Sequence, residues 1–181
     1  RVDRRQRQMC IRDRYNSEDI DLSDSITKVL QHPTVSSKSF LITIGDRTVS
    51  GMVARDQFVG PYQVPVSDYS LSLRSYTSNN GEVLSIGEKP TIALINPAAS
   101  MRMALGEALT NMSGVFIKGL NNVQVSANWM AASGENSDDF ALRSGVEALS
   151  KIAVNLKVSI PVGKDSLSMR TKWSENNLDY E

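Results

Sequence analysis

The 181-residue sequence contains a single cysteine, Cys10, and a single histidine, His32. One cysteine cannot form an internal disulfide, and it cannot supply a zinc site of the CxxC type. One histidine leaves no cluster of nitrogen and sulfur ligands, and no serine–histidine–aspartate or cysteine–histidine set for nucleophilic catalysis. The sequence therefore offers neither a zinc centre nor a hydrolase centre.

Long apolar runs are missing as well. No stretch approaches the ~18 to 20 residues that cross a membrane, and no secretory signal follows the start. The composition, with 40% hydrophobic and 22% charged residues, is typical of a globular domain that builds its own core. We therefore expect a cytoplasmic location and no membrane partner.

Basic and acidic residues balance at 20 each, but their distribution is uneven. The first 14 positions contain six arginines and two aspartates, which leaves 14 basic and 18 acidic residues, a net charge of −4, in the remainder. A basic arm often binds nucleic acid. The run RQRQMCIRDR, however, lacks apolar periodicity and resembles translated sequencing-adapter sequence. We therefore predict that residues 1–16 are non-native and that nucleic acid is not a partner.

The rest of the chain is predicted to be a piece of a longer protein. Residues 17–175 are assigned to one domain, and residues 176–181 to the truncated start of a following segment. A domain of this size buries roughly 70% of the surface of its unfolded chain, so it can form a core without disulfides or metals.

Capping residues and 3.6-residue periodicity predict three helices. They cover residues 18–31, 97–114 and about 137–156. Ser23 or Ser25 is the expected N-cap of the first helix, and the residue before Pro33 ends it. Asn96 is expected to cap the second helix, with Pro97 in its first turn.

Runs of β-branched and alternating residues predict strands between these helices. The expected strands are SFLITI at 39–44, SDYSLSLRSY at 67–76 and NVQVSANWM at 122–130. Residues 47–66 have no clean period and are predicted to form a short helix or an irregular loop. VGKDS at 162–166 lacks the spacing of a phosphate-binding loop and is predicted to be a polar glycine turn between two strands. The order of elements predicts an α+β fold in which helices cover one face of a mixed β-sheet.

Glu107 and Asn111 are the best candidates for a binding site. They lie four residues apart on the 97–114 helix, on a flank of its apolar stripe, beside the small residues Ser100 and Ala104. We expect this small-residue floor to leave room for a ligand, and the two oxygen donors suit Mg²⁺ better than zinc. The alternative is an ordinary polar helix flank. Asp68 is a possible third oxygen ligand, although no periodicity brings it near Glu107.

Several longer blocks resemble one enzyme family. They are HPTVSSKSFLITIGDRTVSGMVARDQFVGPYQVPVSD at 32–68, GEALTN at 106–111, SANWMAASG at 126–134 and IPVGKDSLSMRTKW at 160–173. They are similar to phosphoribosylformylglycinamidine synthases of the large single-chain type. The resemblance implies the N-terminal subdomain of the second of two halves that are each like aminoimidazole ribonucleotide synthetase (PurM). It also implies a PurM N-terminal-domain-like fold that is normally paired with a like domain.

The resemblance implies roles for particular residues and cofactors. The positions of Asp68, Glu107 and Asn111 are Mg²⁺ ligands in the family, and the position of Ser67 contacts the nucleotide, ATP or ADP. Ser67 is usually alanine there, which implies contact through the backbone. The complete enzyme converts formylglycinamide ribonucleotide, ATP and glutamine to formylglycinamidine ribonucleotide, ADP, phosphate and glutamate in purine biosynthesis.

A piece of such an enzyme is expected to be inactive alone. The other synthetase half, the glutaminase domain and the downstream subdomain are its implied partners. Two alternatives remain: another ATP-using member of the aminoimidazole ribonucleotide synthetase superfamily, and a structural pairing domain that binds no ligand. With its partner removed, the apolar segment from Phe40 to Ile44 is expected to promote self-association.

Overall fold

The computed structural model describes residues 20–45, 51–134, 136–168, 170–175 and 178–180. The chain divides into two compact units, one ending at Glu82 and the other beginning at Val83. None of the helices in these described ranges is long and apolar enough to cross a membrane.

The first unit begins with helix α1, Leu22–Gln31. Asp21 is its N-cap, because a carboxylate oxygen of Asp21 accepts a hydrogen bond of 2.7 Å from the backbone N–H of Asp24. The predicted caps, Ser23 and Ser25, are wrong: both lie inside the helix, and the Ser25 hydroxyl donates back to the Asp21 carbonyl. The predicted end is confirmed, since His32 caps the helix and its N–H donates to the Val29 carbonyl.

Helix α2, Ser39–Ile44, occupies the segment that the sequence predicts to be a strand. That prediction is wrong, and the side chains of Phe40 and Leu41 are 59% and 58% exposed. A strand needs a neighbour for its backbone hydrogen bonds, whereas a helix satisfies them within the segment. Within the described ranges no strand pairs with this segment, so its β-branched composition does not decide its conformation.

Three strands complete the first unit, β1 (Val53–Arg55), β2 (Tyr69–Leu73) and the start of β3 (Gly81–Ser85), in the sheet order β1-β2-β3. The sequence predicts a short helix or an irregular loop over residues 47–66, and this is wrong for β1. That strand pairs antiparallel with β2, with an irregularity in the register. The alternating face of β2 is confirmed: its odd-numbered residues are half-buried and the serines between them are exposed. The prediction did not include β3.

The turn before β3 has a local reason for its glycine. A Cβ atom at Gly81 would lie 2.5 Å from the Ser72 carbonyl oxygen, a distance that no real side chain tolerates. The glycine therefore allows the chain to return beside β2. Arg74 and Glu82 close the turn with an exposed ion pair of 3.0 Å.

The second unit contains helices α3 (Pro90–Ala93), α4 (Pro97–Asn111) and α5 (Asn136–Leu156). A 3₁₀ turn extends α4 to Gly114, so both long helices are confirmed within a residue or so of their predicted ends. The side chain of Asn96 accepts a hydrogen bond of 2.9 Å from the Ala99 N–H, as its predicted capping role requires.

Strands β4 (Gln124–Met130) and β5 (Ser159–Ser166) form a parallel pair beneath these helices. The hydrophobic core between the helices and this pair is centred on three buried residues, Leu105 of α4, Ala127 of β4 and Leu149 of α5. Partly buried residues of α4, α5 and both strands pack around them. The predicted strand at 122–130 is confirmed. A parallel pair of this kind needs a long crossover, and α5 supplies it.

The predicted glycine turn at 162–166 is wrong, because β5 continues through it. Gly163 lies opposite Ala127 in the parallel pair, and a Cβ atom there would be 3.4 Å from the Trp129 ring. The glycine therefore lies within a strand, beside a large ring, and does not reverse the chain. A last antiparallel pair joins β6 (Trp173–Glu175) and β7 (Leu178–Tyr180).

The fold is α+β, as predicted. Helices α4 and α5 share a core with β4 and β5, and the strands include both parallel and antiparallel pairs. In the described ranges they form sheets of three, two and two strands.

Candidate metal and nucleotide site

Helix α4 presents Glu107 and Asn111 one turn apart on its flank, where both side chains are half-buried. The flank exists because the apolar stripe of α4, with Leu105 at its centre, faces the core. Ser100, on the same side and nearer the helix start, is completely buried. The prediction that Glu107 and Asn111 share one side of the helix is confirmed, and their role as ligands stays a prediction.

Residues 85–89, which we call the 85–89 segment, run along this flank and are held to it by hydrogen bonds. The hydroxyl of Ser85 donates to the Ala108 carbonyl at 2.7 Å. The amide of Asn111 donates to the Ile86 carbonyl at 2.9 Å. The buried hydroxyl of Ser100 donates to the Lys89 carbonyl at 2.7 Å. The segment is therefore fixed at its beginning and at its end.

Gly87 brings the middle of the segment into contact with the helix backbone. A Cβ atom at this position would lie 2.0 Å from the Ala104 carbonyl oxygen and 2.6 Å from the Ala108 nitrogen. The 85–89 segment thus packs against the small residues of the flank. The expectation that they leave open space for a ligand beside Ala104 is wrong, because the backbone at Gly87 fills it.

The carboxylate of Glu107 is engaged by this segment through both oxygens. Oε2 accepts a hydrogen bond of 2.8 Å from the backbone N–H of Glu88, and Oε1 contacts the ammonium group of Lys89. The Lys89 and Glu107 side chains are 30% and 32% exposed, so water only partly screens the pair. The Lys89 hydrogen bond, followed by that from Glu88, lowers the pKa of Glu107 below its ordinary value of 4.5. Glu107 is accordingly an anion that already holds a cation.

The side-chain amide of Asn111 uses its nitrogen but not its oxygen in hydrogen bonds with described residues. Its Nδ2 donates to the Ile86 carbonyl, while its oxygen accepts no hydrogen bond from any described residue. A carboxylate and an amide oxygen from one helix face are donors of the kind that Mg²⁺ prefers. In the described ranges no three acidic, histidine or cysteine residues converge as a metal cage. Glu107 and Asn111 alone supply two oxygen donors, so a Mg²⁺ ion held there would need further ligands such as water or phosphate.

Ser67 and Asp68 lie in the first unit, directly before β2. The Ser67 hydroxyl donates to the Tyr69 carbonyl at 2.7 Å, and the Ser67 N–H donates to the Gln57 carbonyl at 2.8 Å. Both polar hydrogens of Ser67 thus have partners inside the protein. Asp68 is exposed. Because Glu107 and Asn111 belong to the other unit, the joining of Asp68 to them stays a prediction, as does the nucleotide contact of Ser67.

Lys89 and Glu88 are the site residues that the sequence did not indicate. They are separated from Glu107 by 18 and 19 residues in the chain, and no periodic pattern links them. The available signal was Gly87, since an isolated glycine between two structured segments often marks a close backbone approach.

A protein-family model described as the FGAR-AT PurM_N-like domain matches residues 37–181. The matched range covers most of the chain and contains all four candidate residues, Ser67, Asp68, Glu107 and Asn111. It also contains the 85–89 segment, and it begins after α1 has ended.

Proposed function

Because the chain belongs to the FGAR-AT PurM_N-like domain family, we propose that it forms part of a formylglycinamide ribonucleotide amidotransferase of purine biosynthesis. Specifically, we propose the large single-chain phosphoribosylformylglycinamidine synthase and, within it, the N-terminal subdomain of the second synthetase-like half. The complete ligase would use ATP, glutamine and formylglycinamide ribonucleotide in the cytoplasm. The other synthetase half, the glutaminase domain and the downstream subdomain would complete it.

Within that enzyme, the chain's proposed contribution is part of a Mg–nucleotide site on α4. The observation that supports this most directly is the Glu107 carboxylate, which is half-buried, ionised and already in contact with a cation. Asn111 adds an amide oxygen on the same flank. Asp68 and Ser67 are proposed to complete the site from the first unit, Asp68 as a metal ligand and Ser67 by contact with ATP or ADP.

Mg²⁺ would neutralise phosphate charge and hold the phosphate groups in a fixed geometry. The chain's own residues have simpler tasks. Glu107 would supply the negative charge that attracts the cation, and Asn111 would offer a neutral oxygen while its N–H group stays bonded to Ile86. The sequence has one cysteine and one histidine, and the proposed enzyme also requires a glutaminase domain and another synthetase half, so we expect the chain to bind and not to turn over.

The test is a titration of the purified chain with Mg-ADP in which calorimetry measures the affinity. We expect Glu107→Gln, which keeps the shape of the side chain and removes its charge, to weaken binding about tenfold or more. Glu147→Gln is the matched control, because Glu147 is also a helical glutamate paired with a basic residue, but on α5. It should leave the affinity unchanged.

Two results would contradict the proposal. Equal effects of the two substitutions would mean that Glu107 is not a ligand. An absence of Mg-ADP binding by the parent chain would favour the alternative of a structural pairing domain. The other alternative, a different ATP-using enzyme of the synthetase superfamily, has less support because the matching family model is that of the amidotransferase.

A further inference from the structure

Lys89 contacts the carboxylate that the proposed metal site needs at Glu107. Its ammonium group contacts Oε1, while the other carboxylate oxygen is held by the Glu88 N–H. A magnesium ion bound by Glu107 requires a carboxylate oxygen at about 2.1 Å. Because two cations at the same oxygen repel each other, the metal and the ammonium group compete for Glu107.

The backbone around Lys89 is fixed, so this competition concerns its side chain. The Lys89 carbonyl accepts the hydrogen bond of the buried Ser100, and Gly87 lies against the helix backbone. A lysine side chain has a long flexible stem with a compact charge at its end, and it can turn into solvent without moving its backbone. At 30% exposure, the Lys89 side chain already borders solvent.

We propose that Lys89 is a positioning residue that holds the Glu107 carboxylate in the metal-free protein and is displaced when a divalent cation binds. The lysine thereby keeps a half-buried carboxylate paired and oriented before the metal arrives. It also sets the affinity, since each binding event must break the Lys89–Glu107 pair. This inference rests on the proposed metal site and adds to it a resident competitor within the chain.

The experiment measures Mg²⁺ binding to the purified 181-residue chain by calorimetry, without nucleotide. Lys89→Met removes the competing charge and should tighten binding about three- to tenfold. Lys89→Arg restores a cation and should return the affinity to within about twofold of the parent. Lys28→Met is the matched control, because Lys28 pairs with Asp24 at 2.5 Å on α1, in the other unit. It should have no effect.

A second measurement uses the parent protein and needs no variant. Lysines are dimethylated with formaldehyde and a borohydride, and the modified sites are quantified by mass spectrometry. Addition of Mg²⁺ should raise the labelling rate of Lys89 about two- to threefold, because the ammonium group leaves the carboxylate. The labelling rate of Lys28 should not change.

The outcomes separate this inference from the proposed function. If parent and Lys89→Met bind Mg²⁺ equally and Lys89 labelling is insensitive to the metal, displacement is refuted and the metal site stands. If neither protein binds Mg²⁺ but the parent binds Mg-ADP, displacement is refuted and the Mg–nucleotide site stands. If the parent binds neither Mg²⁺ nor Mg-ADP, both proposals are refuted. Tighter binding by Lys89→Met together with metal-dependent labelling of Lys89 is the result expected.

Discussion

Two helices of the second unit each present a glutamate paired with a basic side chain, and the two pairs differ in what they connect. On α5, Glu147 pairs with Arg143 one turn away at 2.9 Å, and both side chains are more than half exposed. On α4, Glu107 pairs with Lys89 from the 85–89 segment. The first pair supports a helix that its own periodicity already specifies. The second pair joins the 85–89 segment to α4, so its loss affects a tertiary contact.

The comparison also explains why a shifted pKa alone does not identify a site. The pKa values of Glu107 and Glu147 are both lowered, and in both cases the largest cause is the hydrogen bond from the basic partner. Only Glu107 also has a backbone N–H donor, a half-buried position and an amide oxygen beside it on the helix. The surroundings of the carboxylate, more than its acidity, separate a candidate site from a surface ion pair.

Among the substitutions that test this comparison, Gly87→Ala is expected to have the largest effect on stability. The new Cβ atom would lie 2.0 Å from the Ala104 carbonyl oxygen, so the 85–89 segment must move away from α4. We expect a loss of about 2 to 4 kcal/mol in the free energy of unfolding, measured by urea denaturation. The matched substitution is Gly106→Ala within α4, where nothing lies within 4 Å of the new atom.

Gly106→Ala should be neutral or stabilise the protein by up to about 1 kcal/mol, because alanine favours the helix. The two variants make the same chemical change, one inside the contact between the 85–89 segment and α4 and one on α4 outside that contact. If both had the same small effect, the 85–89 segment would not be packed on α4 as described.

A smaller effect is expected from Ser100→Ala, which removes the hydroxyl that binds the Lys89 carbonyl. The Ser100 side chain is completely buried, so the carbonyl loses its donor without gaining water. We expect a destabilisation of about 1 to 2 kcal/mol and a faster hydrogen exchange of the Glu88 amide, whose acceptor is Glu107. Destabilisation without any change in that exchange would show that Ser100 supports the core and not the segment.

The parts of this structure that the sequence predicted are those with local causes. Helix α4 follows from the cap at Asn96, the proline after it and the apolar stripe, all within one segment. Helix α5 follows in the same way from its acidic first turn and its periodicity. The position of Glu107 and Asn111 on one flank is a consequence of helical geometry, so spacing alone was sufficient.

The wrong predictions concern segments whose conformation depends on contacts with distant parts of the chain. The segment at 39–44 has the composition of a strand, but a strand requires a partner that sequence composition cannot supply. Gly163 suggests a turn until the Trp129 ring is known to lie beside it. The covering of the α4 flank depends on residues that precede Glu107 by about 20 positions, and Gly87 indicates a close approach without identifying its partner.

The smallest expected effect, and the most specific to Glu107, is the pH dependence of its pair with Lys89. Folding lowers the pKa of Glu107, so the stabilisation is complete above about pH 4.5 and is lost as the pH falls through the folded-state pKa. Near neutral pH, Glu107→Gln should cost about 0.5 to 1 kcal/mol, a value reduced by partial exposure to solvent. The difference from the parent, measured by urea denaturation at a series of pH values, should shrink as the pH falls below about 4.5. Glu147→Gln should give a difference with the same sign and pH trend but a smaller size, because its partner is only one helical turn away and both groups are exposed. A Glu107 difference that stayed constant with pH, or grew as the pH fell, would show that the carboxylate is not held as an anion by Lys89 and the Glu88 amide.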